Sequence, residues 1–395
     1  MRTLSQIIAV TAMNLRAVPL RAAASAVAVI GIAGVVLIIV AVLSVAQGFR
    51  RTLELAGSDR VAIVLRGNST AEMESLFSNE QVQIIEGTPG IVRGAHGPIV
   101  SAELFTSADQ PKRSTGTPAN APLRGIEPDG ALTREHFQLL AGRMFTPGKY
   151  EVIVGRQAEH TLSGLDVGST TRWGNIDWRV VGEFADGGSV AESEVWTDAR
   201  VLQGAYSRGD SFQTVRVLLP SAASFAGFKQ QLRNDPRLDV SVYTERQFYA
   251  EQARMIATVV RGAGTVLALL MGVGAVCGAL NTMYSAVAAR TTEIATLRAL
   301  GFAPIAVVVS VIAEALLLAL IGGALGAAGA YLAFDGFETS TLNYASFSQV
   351  SFAFAVTPAL IVGGLAYALL LGFVGGLLPA IHAARLPIIE GLREG

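Results

Sequence analysis

The chain has 395 residues, of which 51% are hydrophobic and only 15% are charged, and its formal net charge is −1. Soluble domains carry about 25% charged residues, so this composition excludes a disordered chain and argues against one ordinary soluble domain. A net charge near zero gives no argument for nucleic-acid binding, which uses a basic stripe or domain. The single cysteine, Cys277, permits no disulfide within the chain and no zinc cluster, and we interpret it as a small buried residue.

Four stretches of membrane length hold the apolar excess. Residues 22–46, 262–289, 305–334 and 355–381 contain one charged residue, Glu314. A helix rises about 1.5 Å per residue and the hydrocarbon core is about 30 Å thick, so each stretch is long enough to cross it. We therefore predict four transmembrane helices over these stretches. The second helix is predicted to begin three residues before its uncharged stretch, at residue 259.

The first stretch is predicted to be an uncleaved membrane anchor. Its basic start and the small residues Ser44 to Ala46 resemble a secretory signal with its cleavage site. The uncharged run 22–46 is, however, longer than the roughly 7–15 residues of a signal-peptide apolar region. The stretch is therefore expected to stay on the mature protein.

Charges in the short connections predict the orientation. Residues 1–21 contain arginines and no acid, whereas 335–354 contains two acids and no Lys or Arg. By the positive-inside rule, residues 1–21, 290–304 and 382–395 are cytoplasmic, while 47–258 and the short loop 335–354 lie outside.

The N-terminal segment 1–21 has amphipathic character. Leu4, Ile7, Ile8 and Leu15 fall on one side of a helical wheel, which favours a helix lying in the cytoplasmic headgroup layer. A short extension of the membrane bundle is an equally good interpretation.

The long outer segment 47–258 alternates short strands and helices. Ser78 and Gln81 predict a capping box at the start of a helix over 79–86, and 170–173 with 178–184 predict a hairpin. Residues 106–121 are rich in Pro, Ser and Thr and predict a loop. Other predicted strands are 61–66, 91–105, 150–154, 212–219 and 238–243, and other predicted helices are 156–162 and 221–233. We predict one mixed α/β domain, or two subdomains divided near the loop.

No catalytic or metal-binding constellation stands out. The four histidines are scattered, and the acids Asp177, Glu183, Asp186, Glu192 and Glu194 are interpreted as a solvated loop face. Residues 142–149 approach a phosphate-binding loop, but five residues separate the glycines and a tyrosine follows the lysine. We predict no catalytic residue, no metal site and no ATP site in this chain.

Three glycine pairs and one acid mark the membrane segments. The pairs have GxxxG spacing, which permits close helix approach and predicts a tightly packed bundle; they are Gly274 with Gly278, Gly322 with Gly326, and Gly372 with Gly376. Glu314 must face protein or water, because a carboxylate facing lipid is costly. It is interpreted as a hydrogen-bonded or protonated packing residue, with a proton or substrate contact as the alternative.

The connection 290–304 between the second and third spans predicts a short helix. Ile294, Leu297 and Leu300 recur at three-residue spacing, Arg290 is close enough to Glu293 to pair, and a glycine at 301 ends the helix. A simple turn would need only a few polar residues. The mixed apolar and charged helix therefore predicts docking to a cytoplasmic partner.

Several ordered motifs carry a family resemblance. Residues 290–301 read RTTEIATLRALG and are followed by Glu314 and the glycines at 322, 326 and 329, and the tail 379–387 reads PAIHAARLP. In the outer segment, Gly142-Arg143, 150–155 (YEVIVG), 165–168 (LDVG) and 179–182 (RVVG) follow in order. Together these motifs, which cover essentially the whole chain, resemble the FtsX-like, MacB-type permeases of ABC transporters.

The resemblance implies an α-helical membrane protein with four transmembrane helices, one plus three, and a large inserted extracytoplasmic mixed α/β core domain. Helical extensions at about 47–55 and 244–258 would form a stalk. The segment 290–302 would be the coupling helix that contacts a nucleotide-binding subunit. Its contact residues would be Arg290, Glu293, Ile294, Leu297, Arg298, Gly301 and Phe302.

The resemblance also implies partners. Only 21 residues precede the first span, so the ATPase is expected to be a separate cytoplasmic chain that binds ATP and Mg²⁺, with no cofactor in this chain. A second permease copy, as a homodimer or a paralogous heterodimer, and a periplasmic adaptor protein are further implied partners. The expected location is the cytoplasmic (inner) membrane of a bacterium, with both termini cytoplasmic.

The expected function is that of a non-enzymatic permease subunit that couples ATP hydrolysis to movement of its periplasmic domain and so drives export or extraction of a substrate. The alternative is a signalling scaffold that controls an extracytoplasmic partner such as a cell-wall hydrolase. A membrane-anchored hydrolase is least favoured, because no catalytic constellation supports it. The sequence does not indicate the substrate.

Overall fold

The computed structural model describes residues 2–17, 22–55, 57–343 and 348–388. Within these, the chain divides into two compact units, one drawn from 1–47, 257–337 and 354–395 and the other from 48–256 and 338–353. Residues 18–21 of the predicted N-terminal segment and 389–395 of the predicted tail lie outside the described residues.

Four helices of the described chain are long and apolar enough to cross a membrane. They are α2 (Ala22–Leu55), α7 (Glu245–Ala288), α9 (Pro304–Phe334) and α10 (Pro358–Arg385). Proline occupies the first turn of both α9 and α10, where its missing N–H costs no helical hydrogen bond. The one-plus-three helical arrangement predicted from the sequence is confirmed.

Two shorter helices complete the membrane unit. They are α1 (Arg2–Ala17) and α8 (Thr291–Ala299). The side chain of Asn14 on α1 donates to the Ser310 hydroxyl on α9, and the amide N–H of Ala303 donates to Gln6 Oε1 at 3.4 Å. Leu4 and Ile8 remain exposed on the far side of α1. One face of α1 thus joins the helix bundle and the other is apolar and open, while its location in the headgroup layer stays a prediction.

Close helix packing uses two of the three glycine pairs. A Cβ added at Gly322 of α9 would lie 2.8 Å from the Val29 carbonyl oxygen on α2, and one at Gly376 of α10 would lie 2.6 Å from Ala315 Cβ on α9. Gly326 and Gly372 meet the same two neighbouring helices in the same way. By contrast, Gly274 and Gly278 of α7 face open space within the described chain, so their packing role stays a prediction.

The second unit is built on one mixed sheet. Its strands are β1 (Val61–Arg66), β4 (Val100–Pro111), β5 (Pro118–Ile126), β6 (Phe137–Gly142), β7 (Glu151–Gly155), β8 (Thr170–Trp173), β9 (Ile176–Asp186), β10 (Val195–Asp198), β11 (Thr214–Leu218) and β12 (Val240–Thr244), while β2 (Arg93–Gly94) and β3 (Gly97–Pro98) pair separately. The order across the sheet is β12, β1, β11, β4, β5, β10, β7, β9, β6, with β8 beside β9. The β5–β10 and β7–β9 pairs are parallel and the others are antiparallel.

Four helices pack on this sheet: α3 (Asn79–Glu86), α4 (Arg156–Thr161), α5 (Ala199–Ala205) and α6 (Ser224–Asn234). The predicted capping box is present at α3, where Ser78 and Gln81 exchange hydrogen bonds. Two of the apolar clusters in its core lie one under β1, β11 and α6 and one under β5, β7 and β9. The long strand β4 belongs to both.

The predicted loop at 106–121 is wrong, because most of it is strand. β4 runs through Pro111 and β5 starts at Pro118, with Ala108 paired to Ala121. The polar composition of this segment led to the loop prediction, but its polar residue Gln110 is buried. Gln110 Oε1 accepts hydrogen bonds from Trp173 Nε1 at 2.8 Å and from Thr171 Oγ1 at 3.1 Å. The two cores are therefore joined by a continuous hairpin.

The predicted outer loop 335–354 is also largely strand. Residues Glu338–Asn343 (β13) and Ser348–Ala353 (β14) pair as an antiparallel hairpin, and residues 344–347 between them lie outside the described chain. Thr339, Thr341 and Val350 are β-branched, and such residues favour strands. The loop prediction for this segment used only its charges and therefore did not include the hairpin. The hairpin belongs to the same compact unit as the mixed sheet.

Candidate functional site

Helix α8 is held between two membrane helices by tight turns. Leu300 caps its C-terminus, and Gly301 follows with φ of +89°, a left-handed conformation that glycine adopts without strain. Residues 301–303 then lead directly into α9. The local sequence therefore sets both the length of α8 and its end.

Three of the residues predicted to contact an ATPase fasten α8 to its own chain. Arg290 and Ile294 are buried, and Ile294 joins an apolar cluster with residues of α7, α9 and α10. Arg298 Nη1 donates a 2.7 Å hydrogen bond to the carbonyl oxygen of Leu386, which caps α10. One face of α8 is thus used within the bundle.

Other residues of α8 and of the turn after it are open to the surface among the described residues, and we call them the open face. Glu293 and Gly301 are exposed, and Leu297 and Phe302 are partly exposed. Leu300, which sequence reasoning used only as part of the apolar spacing, is 72% exposed. Apolar side chains and one acid therefore lie together on a surface that the described residues leave open.

The expected Arg290–Glu293 pair is wrong, since Arg290 pairs with Glu314. Arg290 Nη2 donates to Glu314 Oε1 at 2.9 Å, and the two residues are only 4% and 3% exposed. A buried charge needs a partner far more than an exposed one does, which explains why Arg290 turns inward. Glu314 is thus a hydrogen-bonded residue of the bundle, and its partner Arg290 is the N-cap residue of α8.

A narrow cavity of ≈ 20 Å³ lies beside this ion pair, between α1, α7, α8 and α9. That volume admits about one water molecule. Asn14, Met283 and Val311 are among the residues that line it. The size favours a packing role for Glu314 over direct contact with a substrate.

The outer unit contains a buried ionic network centred on Arg124 of β5. All five N–H groups of its guanidinium donate hydrogen bonds to carboxylates. Nε and Nη2 donate to Glu194 at 2.7 and 2.8 Å. Nη1 and Nη2 donate to Glu72 at 3.0 and 2.9 Å, and Nη1 also donates to Glu103 at 2.8 Å. The Phe105 ring, on the paired strand β4, lies 4.8 Å from the Arg124 Cζ atom. The network joins β4 and β5 to the segment before β10.

Two further arginines extend this network. Arg134 Nη2 donates to Glu103 at 3.1 Å, and Arg216 of β11 donates to Glu245, the first residue of α7. Glu245 also accepts a 3.1 Å bond from the amide N–H of Ser58. The start of α7 is thereby tied to the middle of the sheet.

The network shifts the pKa of its carboxylates. Burial raises the pKa of Glu72, but the Arg124 guanidinium, with help from Arg216 and Thr214, outweighs burial and holds the pKa at about 2. Burial likewise raises the pKa of Glu103, and Arg134, Arg124 and Arg216 together bring it below its usual range. Both carboxylates are therefore ionised in the folded domain near neutral pH.

The interpretation of the acids between 177 and 194 as a solvated face is wrong for three of them. Asp186, Glu192 and Glu194 are buried. Glu192 Oε1 accepts from the amide N–H groups of Asp186 and Gly188 at 2.8 and 2.7 Å. Sequence reasoning missed them because their partners are either backbone groups or residues distant in the chain.

Comparison with known families assigns both units. Residues 25–235 match the MacB-like periplasmic core domain, and residues 265–388 match the FtsX-like permease C-terminal domain. The chain belongs to the FtsX-like, MacB-type ABC transporter permeases. The family predicted from the sequence is confirmed, as is the fold class of four membrane helices with an inserted α/β domain.

Relatives of this permease are distant in sequence. It is 24% identical to the ABC transporter permease YknZ of Bacillus subtilis (strain 168) over 83% of this chain and 82% of that protein. It is 29% identical to the macrolide export ATP-binding/permease protein MacB of Shewanella oneidensis over 58% of this chain and 35% of that protein. The crystal structure of the extracellular domain of YknZ, at 17% identity, covers 47% of this chain and 98% of that domain with a TM-score of 0.34.

Proposed function

We propose that this permease couples ATP hydrolysis by a separate cytoplasmic ATPase subunit to movement of its outer domain, and so drives export or extraction of a substrate. The open face of α8 is the observation that carries the proposal. Its apolar and acidic side chains lie beside a face that is fastened to three membrane helices. A subunit bound to the open face would therefore act directly on those helices.

ATP and Mg²⁺ would bind to the ATPase subunit rather than to this chain. The segment 142–149, the nearest approach to a phosphate loop, connects β6 to β7. A phosphate loop instead connects a strand to a helix whose N-terminus faces the phosphates. The long match to YknZ, named as a permease, also supports a permease subunit without a fused ATPase.

The proposed assembly is a dimer of permeases in the cytoplasmic membrane, with α1, α8 and the chain termini on the cytoplasmic side. Basic residues in the last turns of α1 and α10 support this orientation through the positive-inside rule. The second permease is either an identical copy or a paralogue. A periplasmic adaptor would bind the outer domain.

Substitution on α8 tests the docking surface. Leu300→Asp should reduce co-purification of the ABC ATPase encoded beside the gene at least tenfold, because a charge replaces an exposed apolar contact. Leu140→Asp places the same charge at another exposed leucine, on β6 of the outer unit, and as the control it should leave co-purification unchanged. Equal recovery of the ATPase with both variants would contradict docking on α8, and no recovery with the wild-type chain would contradict the proposed function.

A signalling scaffold is the second candidate, and the edge strand β6 favours it. Leu139 and Leu140 are both exposed beside a register shift in the β6–β9 pair. An exposed apolar edge strand is a common protein-binding surface. ATP-dependent efflux from vesicles would separate the candidates, since a scaffold should show none.

A further inference from the structure

The attachments of α8 to the bundle differ in kind. Its ends are covalently joined to α7 and α9 through turns, and one of these turns contains Gly301. Ile294 packs in an apolar cluster, which holds it without a preferred direction. Arg290, by contrast, makes a directional contact with the body of a membrane helix, through its 2.9 Å bond to Glu314.

The position of Glu314 makes this attachment mechanically distinct. Glu314 lies ten residues after Pro304, or about 15 Å along the α9 axis. Helix α8 is therefore joined to α9 at two separated points, the turn before Pro304 and the ion pair. A helix held at one end through a glycine turn can tilt, whereas one held at two points moves with its neighbour.

Residues beside Glu314 continue the connection to α10. Ala315, the next residue, packs against Gly376 and Gly372 of α10 so closely that an added Cβ at Gly376 would lie 2.6 Å from Ala315 Cβ. Arg298 joins the other end of α8 to the last turn of α10. A displacement of α9 at Glu314 is thus passed to α10 at the same level.

Stability alone does not account for the ion pair. A buried pair is often no more stabilising than apolar residues of similar size, because both charges lose their hydration. Arg290 Nε, in addition, is buried without a hydrogen-bond partner among the described residues. What the pair adds, compared with apolar packing, is a fixed distance and direction between α8 and α9.

We propose that Arg290 and Glu314 are positioning residues that make α8, α9 and α10 move as one body when the ATPase subunit displaces α8. The inference rests on the proposed function, because it requires an ATPase bound to the open face of α8. Loss of the pair should leave that face intact, since Leu297, Leu300 and Phe302 do not take part in it. Docking should then persist while the movement of the helices is lost.

The experiment measures docking and movement separately in the full-length permease with its ATPase subunit in lipid nanodiscs. In a Cys277→Ser background, spin labels at Leu325 on α9 and Leu140 on β6, both exposed, report the distance between them with and without ATP and vanadate. Glu314→Gln and Arg290→Gln should retain ATPase co-purification and lose at least four fifths of the nucleotide-dependent distance change. The double variant Arg290→Glu with Glu314→Arg should recover at least half of it.

Each outcome bears on one proposal. A full distance change in both single variants, or loss of ATPase co-purification in both, would overturn the positioning role. If the single variants lose the nucleotide-dependent distance change and the charge-swapped variant does not recover any of it, the ion pair is not what couples the helices. If the wild-type chain captures no ATPase, or shows no nucleotide-dependent change, the proposed function fails instead.

Discussion

Arg124 shows how much of the outer domain depends on one side chain. It binds three carboxylates with all of its donors while only 2% exposed. Its carboxylate partners come from three separate parts of the chain, at Glu72, Glu103 and Glu194. No local pattern connects residues so far apart, so the network could not be predicted from the sequence.

Removing Arg124 should destabilise the outer domain strongly. Arg124→Met should lower its free energy of unfolding by about 3–5 kcal/mol, because buried carboxylates lose their compensating charge. All three tryptophans of the chain, Trp173, Trp178 and Trp196, lie in this domain, so their fluorescence in a urea titration of the full-length protein reports its unfolding.

A surface arginine provides the control for this substitution. Arg237 pairs with Asp235 at 2.6 Å, but its side chain is largely exposed. Arg237→Met should leave the free energy of unfolding nearly unchanged, because exposed ion pairs contribute little to stability. Similar effects of the two substitutions would contradict the importance of the buried network.

Glu127 should make the stability of the outer domain depend on pH. Burial raises its pKa from 4.5 to about 7, although the amide N–H of Ala102 donates to its carboxylate at 3.2 Å. The folded domain therefore binds more protons than the unfolded chain between these values, and stability falls as pH rises through that window. Glu127→Gln, which resembles the protonated acid, should remove this loss and stabilise the domain by about 2–3 kcal/mol near pH 8.

Urea titrations at several pH values measure the effect of Glu127. The gain from Glu127→Gln should shrink as pH falls and disappear well below pH 4.5, where the wild-type side chain is protonated in both states. Glu80→Gln, on the exposed side of α3, controls for the loss of one charge. A gain for Glu127→Gln that does not vary with pH would rule out titration of Glu127 as its origin.

At the scale of the element, sequence patterns succeed where the signal is local. The four apolar helices follow from length and composition, and the start of α3 follows from Ser78 and Gln81. The second half of β4 and the start of β5 were predicted as loop, because Gln110, a polar residue, is buried through bonds to Trp173 and Ser163, which are distant in the chain. On α8, the spacing predicts the helix, but the direction in which Arg290 points depends on a carboxylate 24 residues away.

Packing between α9 and α10 should be sensitive to the size of residue 376. Gly376→Val introduces side-chain atoms where Ala315 already lies, and overpacking of this kind costs about 1–3 kcal/mol. Gly363 lies on the same helix with open space around its Cα, so Gly363→Val is the matched control. Thermal stability of the detergent-solubilised protein, followed by size-exclusion chromatography, should fall only for the first variant. Equal stability of both would contradict the close helix approach.

At the scale of the whole molecule, one side of α7 is a long apolar surface that the described residues do not cover. One side of α7 packs on α2 and α10, where Tyr367 donates a 2.6 Å hydrogen bond to the Ala268 carbonyl oxygen. On the other side, Leu270 and Val273 are exposed beside Gly274 and Gly278. Cys277, interpreted from the sequence as buried, is exposed on α7 as well. Small residues flanked by apolar side chains suit either lipid or a second membrane helix.

The proposed dimer predicts that this side of α7 meets the same side of a second copy. Because Cys277 is the only cysteine, mild oxidation of membranes should then produce a disulfide-linked dimer of the permease. Cys277→Ser should abolish the cross-link, and Gly274→Leu should reduce it at least fivefold by keeping the helices apart. Gly363→Leu, on α10, should leave it unchanged. A second copy that meets this one elsewhere, or a monomer, would give no cross-link in any variant, and non-reducing gel electrophoresis distinguishes these results directly.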